Sequence, residues 1–250
     1  MRPPARPPLA TIALLPLIAA GAAGCVSYGT GAAGLAKPAA INRVKTVTAA
    51  SDGSRAHAAK PRRITQLITV TADSYSTTYA RFVAYRWARR HWVKVFGPWT
   101  ARVGYNGIAR PGAKREGDGK TPSGRYGFEF DFGVLANPGV AVKYRRARSY
   151  DWWDDDPSSR NYNEWVDTRY RDPGRNPEPM DNQPAYNYGA VIAYNTKRVG
   201  TPPLGSAIFL HVGTGSSTAG CVSLPQRKLL KVLLWLRPAD HPRIAISVRT

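Results

Sequence analysis

A mainly β domain with one helix is the fold class this sequence predicts, and two observations carry it. From Ile64 onward, short runs rich in β-branched and aromatic residues alternate with Gly-, Pro- and Asn-containing turns, the pattern of strands. Only Leu229, Leu230, Val232, Leu233 and Leu236 repeat at the three-to-four-residue spacing of a buried helical stripe. The 250 residues are 43% hydrophobic, enough for one core and one domain.

The first residues do not belong to that core. Arg2 and Arg6 precede an apolar stretch from Leu9 to Ala23 that ends in Ala, Gly and Cys25. A basic start, a short apolar segment and small residues before a cut describe an export signal over residues 1–24. The apolar span, about 15 residues and containing Pro16, is shorter than the roughly 20 a transmembrane helix needs. Ala22-Ala23-Gly24-Cys25 fits a lipoprotein processing site with lipid on Cys25, or simple cleavage nearby. A lipid there is the one membrane attachment the sequence suggests. Residues 25–63, rich in Ala, Gly, Ser and Lys, bury too little to offset their ordering entropy and read as a flexible tether. The folded domain is then 64–250. An exported protein is expected in the cell envelope, periplasm or wall. There, a net charge of +20 suits anionic wall polymers or lipid headgroups. No Lys/Arg block of five or more and no nucleic-acid module is present, so nucleic acid is not an expected partner.

The strands come in order along the chain. Ile64 to Thr71 is β-branched, and Thr78 to Trp87 alternates, with Phe82, Ala84 and Arg86 opposite Val83, Tyr85 and Trp87. Ala88 to His91 turns into Trp92 to Phe96, which makes a hairpin. Gly97-Pro98 and Gly104-Tyr105-Asn106-Gly107 punctuate the chain beyond that hairpin. Residues 114–127, KREGDGKTPSGRYG, read as a turn-rich connection into a strand from Arg125 to Phe132. Their lone G-x-G lacks the surroundings of a phosphate loop. Between Asp151 and Asp181 lie nine of the 16 acidic residues, without EF-hand spacing. Residues 150–187 therefore read as a long loop bordering a pocket, or a surface loop with its own aromatic cluster. Tyr188 to Tyr194 and Ser206 to Val212 are further strands, with a turn at Gly200-Thr201-Pro202-Pro203 between them. The helix comes next, with Ser223 as N-cap, Pro225 in the first turn and Arg237-Pro238 as its stop. Ile244 to Val248 is the last strand, after a turn at His241.

The candidate chemistry lies between the strand ending at Val212 and the helix. An apolar run delivers His211, and after a loop of Gly, Ser and Thr comes Cys221. Such a loop is permissive enough to fold back and bring the two together. A thiol beside a base becomes a nucleophile for carbonyls; the alternative is a buried cysteine and a core histidine that never touch. With Cys25 at the processing site, Cys221 has no cysteine left for a structural disulfide, and a lone thiol in an oxidising compartment points to reactivity. A helix directly after Cys221 is expected to favour the thiolate. The Gly220 and Cys221 N–H groups suit an oxyanion. His211 suits proton transfer, its ring held by a carbonyl such as that of Val212. A zinc site is disfavoured, because no second pair of ligands has suitable spacing. Neither a metal nor an organic cofactor is expected.

The motif H-x9-C with T-x-G-C-V-x-L-P, preceded by SAIFLHV, resembles the catalytic motif of the L,D-transpeptidases, the YkuD-like domains. EGDGKTPSG at 116–124, WWDDDPSSRNYN at 152–163 and VIAYN at 191–195 are similar to segments of one branch of that family. The resemblance runs in consistent order from about Thr78 to Val248. It implies a β-sandwich outside the bacterial membrane, acting on peptidoglycan stem peptides. The cysteine would attack the carbonyl between diaminopimelate and D-Ala, release D-Ala, and pass the acyl group to a neighbouring stem's amine as a 3→3 crosslink. On this sequence Cys221 is then the nucleophile, His211 the base, and Gly220 with Cys221 the oxyanion donors. Thr218, Ala219, Ser223, Tyr194, Asn195 and Trp153 would line the substrate site. Ala219 and Ser223 depart from the usual pattern, which has a second His and often an Asn there. Two other readings are an L,D-carboxypeptidase that uses water, and a non-enzymatic wall-binding lipoprotein.

Overall fold

The computed structural model describes residues 63–196 and 203–249. The export signal 1–24, Cys25, residues 26–62 of the tether and residues 200–202 of the turn lie outside the described residues. Alternation in sequence becomes alternation in burial. Strand β1 (Gln66–Ala72) buries every second residue: Gln66, Ile68, Val70 and Ala72. It forms a hairpin with β2 (Tyr79–Ala88), which in turn pairs with β3 (His91–Arg102) through a two-residue turn. Strand β3 is longer than expected, because it runs through Gly97-Pro98 instead of stopping there. Gly97 has φ +88° and lies so close to β2 that a Cβ would come within 2.4 Å of the Phe82 carbonyl oxygen. The ladder absorbs this approach as a register shift between Phe82 and Ala84.

Short pieces come next: β4 (Ile108–Ala109), β5 (Thr121–Pro122), β6 (Gly124–Tyr126), β7 (Phe128–Gly133) and β8 (Tyr144–Arg146). The strand expected over Arg125 to Phe132 is thus broken at Gly127 into β6 and β7. Those two strands lie at opposite parts of one sheet. Residues 150–187 are more ordered than a loop. They hold β9 (Asp151–Trp153), β10 (Trp165–Asp167) and β11 (Glu178–Pro179) as a small sheet of order β10-β9-β11. Then come β12 (Gly189–Ile192), β13 (Phe209–Val212), β14 (Val222–Leu224), α1 (Gln226–Trp235), a 3-10 turn at Pro238–Asp240, and β15 (Arg243–Val248).

Ten strands form one sheet in the order β6-β15-β1-β2-β3-β14-β13-β12-β7-β8. The sheet curls on itself. Ile68 of β1 and Ile246 of β15 share a single core with Leu210 of β13, Ile192 of β12 and Leu229, Val232 and Leu233 of α1. The expected mainly β fold with one helix is therefore realised with its sandwich built from one curled sheet. The opposite face of β7, β12 and β13 carries a second cluster, including Phe132, Trp153, Trp165, Met180, Phe209 and Cys221. No helix among the described residues is long and apolar enough to cross a membrane.

The helix start differs from the sequence reading. Ser223 is not its N-cap; it lies in β14, paired with His211 on one side and Arg102 on the other. Sheet pairing on both sides outcompetes local capping. Pro225 takes the cap position, with no side-chain hydrogen bond, and the helix begins at Gln226. Leu229, Val232 and Leu233 face the core, whereas Leu230 is only half-buried. Gln66 of β1 closes the far end: its Nε2 donates to the Trp235 carbonyl at 2.8 Å, and its Oε1 accepts from Arg237 N at 2.8 Å.

Candidate active site

Strands β13 and β14 are parallel neighbours, with Leu210 opposite Val222 and His211 opposite Ser223. Parallel strands need a connection that doubles back, and residues 213–221 supply it. Backbone bonds pin that loop: Gly213 N donates to the Leu224 carbonyl at 2.7 Å, Thr218 N to Val103 at 2.9 Å, and Tyr105 N to Thr218 at 2.7 Å. Two hydroxyls converge on the Cys221 carbonyl, Thr218 Oγ1 at 2.7 Å and Thr121 Oγ1 at 3.2 Å. Cys221 is held firmly just before β14.

His211 and Cys221 line one cavity of about 230 Å³, and no hydrogen bond joins them. The Cys221 thiol donates to the Ala207 carbonyl at 3.1 Å, and its sulfur accepts from the Phe209 N–H at 3.3 Å. His211 Nδ1 lies 2.9 Å from the Val212 carbonyl, which can only accept, so Nδ1 carries the hydrogen and Nε2 keeps its lone pair. The edge-to-face ring of Tyr186, 5.5 Å away centre to centre, fixes the imidazole's other side. Burial pushes the imidazole down to about 4, against the carbonyls of Val212 and Ala185. Burial also pushes the Cys221 thiol well above its ordinary value, with the nearby Glu178 adding to the rise. The resting pair is therefore a neutral thiol and a neutral imidazole. This corrects the expectation of a thiolate stabilised by the helix. Three residues of β14 and Pro225 separate Cys221 from the first helical residue, and burial dominates.

Opposite the cysteine stands an acidic wall that the sequence reading did not assemble. Glu116, Asp155 and Glu178 all line the cavity, with Ser206 between the first two. Ser206 Oγ is 2.6 Å from Glu116 Oε2 and 2.6 Å from Asp155 Oδ1. One hydroxyl hydrogen cannot serve two carboxylates, so one of the pair carries a proton. Burial pushes Asp155 up to about 8, which marks it as the protonated member. Glu116 Oε2 also accepts from Tyr162 at 2.5 Å, and Glu178 accepts from the buried Tyr186 hydroxyl. Burial raises Glu178 too, with Tyr186 opposing. Lys114, buried and lining the same cavity, pairs with Asp118 at 2.8 Å. Among the described residues no group of three or more His, Cys, Asp or Glu is arranged to hold a metal ion.

Of the residues singled out from sequence, His211, Cys221, Thr218, Ala219 and Ser223 meet at this cavity. Gly220 is buried beside it, its N–H donating to Thr218 Oγ1 at 3.2 Å. Three do not reach it. Trp153 is only 2% exposed, packs on Phe209 at 4.9 Å and donates from Nε1 to Asn163 Oδ1 at 3.0 Å, so it supports the wall from behind. Tyr194 donates to the Leu204 carbonyl at 2.6 Å, and Asn195 Nδ2 to the Gly205 carbonyl at 3.0 Å; both brace the chain before β13. The residues missed, Glu116, Asp155, Glu178, Ser206 and Tyr186, come mostly from segments read as a turn-rich connection and as a loop. The concentration of acid between Asp151 and Asp181 was the available signal for two of the three carboxylates.

The model of the YkuD family, described as the L,D-transpeptidase catalytic domain, matches residues 76–246. No curated protein matches the chain. Among solved structures, the helical cell shape determining protein Pgp2 from Campylobacter jejuni is similar over 74% of this chain, at 16% identity and a TM-score of 0.37. The matched region covers 48% of that chain, so this chain spans about half of its length. With the family match spanning His211, Cys221 and all three wall carboxylates, this chain belongs to the YkuD family of L,D-transpeptidase catalytic domains.

Proposed function

We propose that the protein is an exported cysteine L,D-transpeptidase that crosslinks peptidoglycan stem peptides through a thioester on Cys221. The observation that supports it best is the pairing of a neutral thiol with a buried imidazole whose Nε2 is a free base, in one cavity. His211 Nε2 takes the thiol proton as sulfur bonds to the diaminopimelate carbonyl carbon. The oxyanion is met by the Cys221 and Gly220 N–H groups, the latter exchanging its long contact with Thr218 for the substrate. When the C–N bond breaks, the imidazolium gives its proton to the departing D-Ala amine. A neighbouring stem's amine then attacks the thioester, His211 takes a proton from it, and the thiol is restored. Glu116, Asp155 and Glu178 fit this reading as the receptor for the ammonium group of diaminopimelate, because a buried cation needs paired carboxylates. A cation there favours ionised Asp155.

The export signal, with or without lipid on Cys25, carries the domain to the envelope. The +20 net charge holds it near anionic wall polymer in a salt-dependent way. A carbapenem tests the nucleophile. Intact mass should rise by one drug molecule on the wild type and stay unchanged on Cys221→Ala. An unmodified wild type, or acylation that survives the substitution, would remove Cys221 from this role.

A further inference from the structure

Strand register extends the site beyond the cavity. His211 of β13 pairs with Ser223 of β14, Ser223 with Arg102 of β3, and Arg102 with Tyr79 of β2. Paired residues on neighbouring strands point to the same face, about 4.8 Å apart strand to strand. The base, a hydroxyl, a guanidinium and a phenol ring therefore stand in one row across four strands.

Two members of that row lack partners. Arg102 Nε and Nη1 and Ser223 Oγ are shielded from solvent with no hydrogen-bond partner, and Arg102 has no carboxylate among the described residues. Native proteins keep few such groups, because each is costly, and a functional role is one reason for keeping one. Stacking fixes the guanidinium plane: its central carbon lies 3.7 Å from the Tyr79 ring centre, which leaves its edge to donate. Arg102 and Ser223 also line a second cavity of about 120 Å³, under the loop at Gly213 and Gly215. Ser223 lines both cavities, so the two adjoin. Gly213 leaves the space beside the hydroxyl unfilled, since a Cβ there would sit 3.0 Å from Ser223 Oγ.

A guanidinium edge and a hydroxyl, with no acid beside them, match a planar carboxylate. Its source follows from the reaction geometry. The expelled amine must sit at His211 to receive the proton, and in an amino acid the carboxylate carbon is about 2.5 Å from that nitrogen. The carboxylate then falls within about one strand spacing of His211, at Ser223 and within reach of Arg102. We infer that Arg102 and Ser223 form the subsite for the α-carboxylate of the amino acid expelled from the stem peptide, and so select donors ending in a free carboxylate. The inference rests on the acyl-transfer reading of Cys221 and His211.

Two measurements test it separately. The first is binding of N-acetyl-D-alanine and N-acetyl-D-alaninamide, followed by NMR shifts at Arg102 and Ser223. The acid should bind about tenfold or more tightly than the amide, the worth of one charge-assisted bidentate contact. Arg102→Met should bind both alike, and Ser223→Ala should fall between. The second is release of the terminal residue from stem tetrapeptides ending in acid or amide. Arg102→Met should erase the preference for the acid, mostly through KM, and Arg102→Lys should restore part of it. Equal binding of acid and amide by the wild type, or an unchanged preference in Arg102→Met, overturns the inference. Where Arg102→Met fails to fold, the wild type and Ser223→Ala decide alone. Acid-selective binding with no release of D-alanine supports the subsite and brings down the acyl-transfer reading; release without selectivity does the reverse.

Discussion

On the proposed reading, His211 sets the working pH of the site. An isolated imidazole protonates near 6.5, but burial holds this one at about 4. The base is therefore expected to stay neutral between those values, and at saturating substrate, where the bound cation already keeps Asp155 ionised, the acid limb of kcat should fall near pH 4. A half-loss of activity at pH 6.5 would show that the proton acceptor is another group. Cys221 gives the complementary lesson. Its thiol is as protected as a core residue, held by Ala207 and Phe209, so on the proposed reading its reactivity is induced by substrate and by His211 rather than stored as a thiolate. The sequence distinguishes the two residues by type and spacing. It does not reveal the environment, because the groups that bury them, Tyr186 and Phe209, lie up to 35 positions away from Cys221 in the chain.

At the scale of elements, β7 carries a carboxyl that the proposed mechanism does not use. Asp131 is fully buried, both oxygens lack partners, and burial pushes it up to about 8. With a folded value above the unfolded one, the native state holds the extra proton between about pH 4 and 8. Stability is then lost as pH rises through that window. Asp131→Asn stays neutral throughout, so the gap in Tm between variant and wild type should widen in the variant's favour from pH 5 to pH 8. A gap independent of pH would mean Asp131 does not titrate there. Elements with strict alternation, such as β1 and β15, were legible because one face meets the core along their whole length. The helix start was not. Ser223, Leu224 and Pro225 carry good capping chemistry, and only the flanking strands β13 and β3 reveal that residues 222–224 are a strand. The sheet at 150–187 was hidden for a similar reason: its strands are three residues or fewer, and Trp153 and Trp165 order it through bonds to Asn163 and Asp151.

Across the whole molecule, the curled sheet brings together segments that are far apart in sequence. Glu116 precedes β5, Asp155 comes just after β9, Glu178 starts β11, and His211 and Cys221 flank a single loop. Thus His211 and Cys221, only ten residues apart, could be brought together from spacing, whereas the acidic wall could not. A chain with a net charge of +20 sets three partly buried carboxylates around the cavity of its thiol. The central claim is that this cavity acylates Cys221 with a stem peptide and expels its last residue. The most direct measurement is incubation of the domain with a stem tetrapeptide, with quantitation of free D-Ala and mass mapping of the cysteine-containing peptide. One D-Ala per acylation and the tripeptide acyl group on Cys221 are expected, both lost in His211→Gln. A wild-type Cys221 that stays unacylated while no D-Ala appears would contradict the claim.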